Sequence, residues 1–492
     1  MATPIPGNRA ALSAWDVVAM DGQLAHVRGE GARARGVVID SRAVTPGCAF
    51  VALRGDSHDG HAFLGAAVDA GASLIVTEQA HATARADVVV VADSLEALGD
   101  IARAHLARWR RGREGLDPAR TIVISGSAGK TTTKQIAGAL AATLGEACVT
   151  AGNLNNRIGL PMVALTVEPR HRFAVLEAGM SLRGEIQALA RIAAPDVAVI
   201  TNIGVAHAEG VGGGRADVAR EKGALLASLA PSGAAVVCAD DAAAMGQLVR
   251  SRATTVRLFG RADGSDYRLL SLASRGFDGA RITFDRPCRA CASPRAKETL
   301  EVDSPLLGEA AAIDFLAALA AVEAACGAAI DPVLIAAAMA TLANAGQRGD
   351  VIHLADGVVI IDDTYNANPH SVRASLALLG DVARSEGRRA VAVLGEMKEL
   401  GESSRDEHVA LGEVAARAGV SLMIGCGGLI DGALEAARAA GVAVRSAADV
   451  SAAAAFAQAD VARGDVVLVK ASRSVGAERI VAALVAARGK VV

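Results

Sequence analysis

The chain has 492 residues, of which 52% are hydrophobic and 21% charged, and its net charge is -3. That length exceeds one hydrophobic core and predicts about three domains. The near-neutral charge and 2% aromatic content leave no basic surface for nucleic acid or anionic lipid and few rings for base stacking, which excludes those partners.

The first residues, MATPIPGNRAALSAWDVV, show no basic stretch followed by an apolar one, so no secretory leader is expected. The stretch FLAALAAVEAACGAAI is mostly Ala and is broken by Glu323, too weakly apolar for membrane insertion. Seven Cys, an odd number, fit a reduced, cytoplasmic protein. Cys288 and Cys291 have C-x-x-C spacing but no second pair or His cluster nearby. They are read as structural or incidental.

In chain order, residues 1–117 form a first domain with strand-like runs at 73–77 and 88–91, ending in RWRRGREGLDPAR, a linker by its charge, Gly and Pro. Residues 118–345 begin with the strand TIVIS, a Gly-rich loop and a helix whose Ile136, Leu140 and Leu144 share one face. FAVLE, VAVIT and AAVVC follow at helix-length intervals, the pattern of a parallel α/β sheet. Residues 346–492 repeat the alternation at 358–362, 390–394, 422–425, 442–444 and 466–470, which predicts a Rossmann-like domain. The fold class is therefore α/β, with three domains.

The loop reads GSAGKTT from Gly126 to Thr132, two residues shorter than the common G-x-x-x-x-G-K-[ST] form. Gly126 and Gly129 permit a tight turn, so that the N–H groups of Ser127, Ala128 and their neighbours can cradle phosphate at a helix N-terminus. Lys130 supplies countercharge, and the Thr131 hydroxyl is placed to ligate Mg2+. Glu177 and His207 each end or follow a strand of the same sheet, where parallel sheets bind ligands. Taken singly, Glu177 reads as a solvated acid and His207 as a surface histidine; beside a phosphate loop both become candidate metal ligands.

The short loop, with GNLNNRIGLP at 152–161, EAGMSLRGEI at 177–186 and TNIGVAHAEGVG at 201–212, resembles the Mur ligases, ATP-dependent amide ligases of peptidoglycan precursor synthesis. DSRAVTPGCAFVALRGDSHDGHAF (40–63), GEMKELG (395–401) and VLVKASR (467–473) extend the likeness across nearly the whole chain. DDTYNANPHS at 362–371 is its most specific part, since it resembles the members that add D-alanyl-D-alanine to UDP-N-acetylmuramoyl-tripeptide.

The resemblance implies an N-terminal domain for the UDP precursor, a central ATP-binding domain and a C-terminal Rossmann-like domain. It implies ATP and two Mg2+ ions, an acyl-phosphate intermediate, and a monomer. By the same likeness Lys130, His207 and Lys222 are catalytic. Thr131, Glu177, His207 and Lys222 are metal ligands, with Lys222 open to carbamylation by CO2; its bland alternative is a helix-surface Lys paired with Glu221 or Asp217. Arg348, Asp363 and Asn366 join the phosphate loop in binding ATP, and Tyr365 faces the same cleft. Ser41, Arg42, Asn153, Asn155 and Asn156 bind the substrate, with His58, Asp59 and His61 in the region that receives the UDP-sugar.

One family segment departs. G-x-H-N-x-x-N-A-L-A-A reads GEAAAIDFLAAL from Gly308, with Ala310, Ala311 and Asp314 in place of His and two Asn. A carboxylate only accepts where an amide both donates and accepts. Two alternatives stand beside the ligase: a sister enzyme for another amino acid, and a binding protein that senses UDP-precursors without turnover.

Overall fold

The computed structural model describes residues 3–491 except 21, 27–32, 56–57, 82, 84, 114–116, 289–295 and 343–345. Cys291 lies outside that set. Its described strands form sheets of nine, six and five strands and a two-stranded ribbon.

The nine-stranded sheet is built around Arg120–Ser125, with Phe173–Glu177 and Val197–Ile200 parallel on either side. Alternate residues enter opposite cores: Ile122 and Ile124 join one cluster, and Val123 joins the other. This is the period of two expected of a strand covered on both faces. Ala147–Val149 closes one edge. At the other, Ala234–Cys238, Thr255–Gly260 and Tyr267–Ser274 continue in parallel, and Ala280–Pro287 and Lys297–Ser304 add an antiparallel meander. The meander was not predicted; its strands bury alternate residues only, Ala280, Ile282, Phe284 and Arg286 in Ala280–Pro287, so they lack a continuous apolar run.

The six-stranded sheet has Val359–Asp362, Val466–Lys470, Ala390–Gly395, Val420–Cys426 and Ala443–Ala447 in parallel, with Asp350–His353 antiparallel at the edge. The five-stranded sheet places Leu74–Thr77 between Ala49–Val51 and Asp87–Val90.

Two expectations change. The helix after the loop is Lys130–Ala142, so Leu144 falls just beyond it, half-buried against the same core. The predicted linker is packed: helix Ser94–Arg111 lies against Gly159–Ala164 and Glu185–Ala193. Trp109 Nε1 donates to His171 O at 2.9 Å, and Arg110 Nη2 donates to the Ala193 and Ala194 carbonyls. No described helix is long and apolar enough to cross a membrane.

Helix Gly308–Cys326 is buried along most of its length and packs on Lys130–Ala142. Ala dominates it because close helix packing leaves room for little else. Glu323, which interrupts that apolar run, is 1% exposed and accepts from Tyr267 Oη at 2.7 Å, Arg286 Nη1 at 2.7 Å and Ile330 N at 2.9 Å. A buried charge is tolerated only when paired in this way. Glu323→Ala would remove the buried one of the two carboxylates on Arg286, which keeps Glu298, and the acceptor of Ile330 N, and should lower stability by about 3 kcal/mol, read as a lower denaturant midpoint.

Candidate active site

A cleft of about 1350 Å3 opens between the nine- and six-stranded sheets. Residues 127–132, the Asn153–Asn156 loop, Glu177, His207 and Lys222 line it from one side, and Arg348, Asp363, Tyr365 and Asn366 from the other.

The loop is held by the neighbouring strand end. Ser127 N donates to Asn202 O at 3.0 Å and Ala128 N to Asn202 Oδ1 at 2.9 Å. Thr201 Oγ1 and Asn202 Nδ2 donate to Ala128 O. Gly126 is required by this contact, since a Cβ there would lie 1.8 Å from Thr201 Oγ1. Two loop N–H groups predicted to cradle phosphate are thus already engaged. The helix N-terminus remains: Gly129 (φ 80°) stands at the N-cap with no side-chain cap, so the first helical amides are left for an anion.

Lys130 Nζ and Lys222 Nζ donate to the same acceptor, Gly126 O, at 2.8 and 3.1 Å. Two ammonium groups on one carbonyl repel. Lys222 is 1% exposed, and burial, then Lys130, holds its amine well below the ordinary lysine value. Lys130 shifts down too, chiefly by burial, with Glu177 opposing. The surface ion pair with Glu221 or Asp217 is not what this lysine makes: Glu221 accepts instead from Gly184 N and Ile186 N.

Glu177 is fully engaged. Oε2 accepts from Thr131 Oγ1 at 3.0 Å and lies 3.1 Å from Lys134 Nζ, and Oε1 accepts from Asn155 Nδ2 at 2.7 Å. Burial pushes its carboxyl up, but Lys134, Lys130 and Asn155 outweigh that and the net direction is down. Lys134 was not singled out from the sequence, although GKTTTK places it one turn after Lys130 on the same face. It also donates to Gly152 O at 2.8 Å, tying the Asn loop to the helix.

His207 sits at φ 61°, and its Nδ1 pairs with Glu399 of the six-stranded unit. Among the described residues no three His, Cys, Asp or Glu converge to hold a metal. The donors present are the Thr131–Glu177 pair and, apart from it, His207; Mg2+ takes few protein ligands beside phosphate oxygens and water, so this set fits the ion in the presence of nucleotide.

Asn153 accepts from Thr3 Oγ1. Asn156 Oδ1 accepts from Ile158 N and Gly159 N, which makes it a turn residue at the start of a helix. Arg348 lies over the Tyr365 ring at 3.9 Å. Asp363 Oδ2 accepts from Lys470 Nζ and Ser375 Oγ, each at 2.6 Å, and Asn366 Oδ1 accepts from Ala367 N. Ser41 and Arg42 do not line this cleft. Arg42 is bound to Asp40 with its side chain 89% exposed. His61 spends both ring nitrogens on the fold, Nδ1 on Asp59 and Nε2 on Glu78 N. His58, Asp59 and His61 are likewise not among the residues that line this cleft.

Asp314 is packed beneath the loop: a Cβ on Gly129 would lie 2.2 Å from its Oδ1. Ala310 and Ala311 line the cleft beside it. Burial raises the Asp314 carboxyl well above its usual value, with the neighbouring Thr133 hydroxyl opposing. An acid raised in the folded state binds more protons there than when unfolded, so its cost to stability grows as pH rises above about 3.9. Asp314→Asn should therefore melt above the parent at pH 8 and show little difference at pH 4.

The descriptions of three family models cover most of the chain: "Mur ligase family, catalytic domain" at residues 33–106, "Mur ligase middle domain" at 124–322 and "Mur ligase, glutamate ligase domain" at 347–473. The UDP-N-acetylmuramoyl-tripeptide–D-alanyl-D-alanine ligase of Mycobacterium tuberculosis is 35% identical over 92% of each chain. The structure of MurF from Acinetobacter baumannii superposes with a TM-score of 0.84 at 28% identity, covering 97% of this chain and 99% of that one. MurF ligase from Thermotoga maritima, in complex with ADP, gives 0.77 at 28% identity, over 92% and 97%. With likeness spread over all three large sheets and not confined to the phosphate loop, the chain belongs to the Mur ligase family.

Proposed function

We infer that this chain joins D-alanyl-D-alanine to the terminal carboxylate of UDP-N-acetylmuramoyl-tripeptide, using ATP and passing through an acyl phosphate. The observation that carries the reading is the meeting of Lys130, Lys222 and the Thr131–Glu177 pair in one cleft whose far wall is the DDTYNANPHS segment. The relatives named above for this ligation, and the ADP bound by the Thermotoga maritima protein, support it.

Lys130 binds the β- and γ-phosphates by exchanging the Gly126 carbonyl for phosphate oxygens, which also relieves its repulsion with Lys222. The uncapped amides of helix Lys130–Ala142 take the remaining charge. Thr131 and Glu177 would hold one Mg2+ and His207 a second. Bound there, Mg2+ supplies charge neutralisation between the γ-phosphate and the substrate carboxylate. Lys134 keeps Glu177 anchored and oriented, and Asn155 fixes its other oxygen.

Lys222 suits carbamylation: burial and Lys130 favour the neutral form of its amine, and in that form it adds CO2 at nitrogen and releases one proton, becoming an anionic ligand. Arg348, stacked on Tyr365, is placed to meet ATP phosphates, and Asp363 and Asn366 to meet the nucleotide ribose. Asn153 and Asn156 flank the tripeptide end, while Ser41 and Arg42 receive the uridine nucleotide. The domains run 1–117, 118–345 and 346–492, in a cytoplasmic monomer. With the reacting carboxylate phosphorylated, the dipeptide amine attacks its carbonyl carbon, phosphate leaves with the C–O electron pair and the nitrogen gives up one proton to the departing phosphate, yielding the amide.

Phosphate release from Mg-ATP should require both UDP-N-acetylmuramoyl-tripeptide and D-alanyl-D-alanine, and Lys130→Ala should reduce it at least about 100-fold. Release supported by another amine would favour a sister ligase. Binding of both nucleotides with no release would favour the sensor.

A further inference from the structure

Four described non-glycine residues have positive φ, and two of them touch each other across the cleft: His207 at 61° and Glu399 at 63°. That backbone region disfavours any side chain, and glycine occupies it freely. The chain nevertheless places an imidazole and a carboxylate there, on different sheets' loops, and brings them together.

Both positions are imposed by their neighbours. Met397 and Leu400, each 1% exposed, anchor the segment on either side of Glu399. Met397 N donates to Nε2 of the buried His408 at 2.9 Å, and Lys398 N donates to Ser472 Oγ at 2.9 Å. Glu399, flanked by these anchors, is thrust outward. His207 stands between the buried Ala206 and Ala208 in the same manner. The contact is thus set by two braced loops and not by two free surface side chains.

A neutral imidazole carries one proton, and the hydrogen bond made by one nitrogen decides the state of the other. A carboxylate can only accept, so Glu399 selects the Nδ1–H form and leaves Nε2 with its lone pair. We propose that Glu399 is a positioning residue that fixes the tautomer and ring orientation of His207, so that Nε2 is held ready to ligate while the six-stranded unit is docked on the nine-stranded one. The inference rests on the reading of His207 as a cation ligand and adds the group that readies it. Carboxylates that orient a ligating histidine are worth about 10- to 100-fold in metal affinity.

The test uses the full-length protein with ADP, reading Mn2+ affinity by electron paramagnetic resonance and the His207 ring by long-range proton–nitrogen correlation. Glu399→Gly suits the left-handed backbone and removes only the carboxylate, so it should melt no lower than the parent. It should bind Mn2+ about 10- to 100-fold more weakly and lose the pure Nδ1–H signature. Glu399→Gln, whose amide oxygen can still accept, should restore much of both. The proposal is overturned if Glu399→Gly leaves affinity and ring spectrum unchanged while His207→Ala weakens Mn2+ binding. Unchanged affinity in His207→Ala would instead remove the ligand reading itself, and this inference with it.

Discussion

Two amines converge on one carbonyl oxygen, that of Gly126, and much of the site follows from this crowding. Neither amine has a carboxylate on it; the nearest buried one, Glu177, is held by Lys134. Positive charge therefore accumulates around the loop, with Glu177 engaged by Lys134 and not by either amine. Such a site gains most from a polyanion, because each phosphate oxygen replaces a poor acceptor with a charged one. Withdrawn from water, the same charges interact more strongly than they would at a surface.

The arrangement separates holding from reacting. Lys134, Asn155 and Asn202 are engaged by protein partners that brace the loop and Glu177. Lys130, Lys222 and the helix amides keep weak or exchangeable partners. A ligand can then displace the second set without unsettling the first, which suits a site that must bind and release nucleotide in each turnover.

Much of this was legible in the sequence because it depends on local order. Strand, short loop, Lys and helix in succession can place Lys130 and Thr131 in only one way, and strand ends at Glu177 and Ile200 lead to one sheet edge. What was not legible depends on long-range partners. Lys134 looks like any helical lysine until Glu177 is seen 3.1 Å away. The meander from Ala280 to Ser304 has one half-exposed face and so no apolar run to announce it. The Trp109 region carries the charge and glycine of a linker, yet its arginines are spent on carbonyls of the next unit. The first sheet's residues were reached by likeness alone, and the geometry gives Ser41 and Arg42 no common site with the phosphate loop.

The strained backbone is distributed in a telling way. Of Ala194, His207, Gln347 and Glu399, three border the cleft or the joint between the two large sheets. Gln347 precedes Arg348, its carbonyl accepts from Tyr365 N, and its side chain accepts from Arg473. Each such residue costs about 1–3 kcal/mol, which the surrounding contacts must offset. The contacts of Gln347 stay within its own unit, whereas His207 to Glu399 crosses between units, as does Asn368 Nδ2 to Ser127 O at 3.2 Å. The braces on His207 and Glu399 lie within their own units, so separating the sheets would break the crossing contacts and leave the strained loops formed. A joint made by such crossing contacts is one that ligands entering the cleft can shift, provided they contact both walls in one arrangement only.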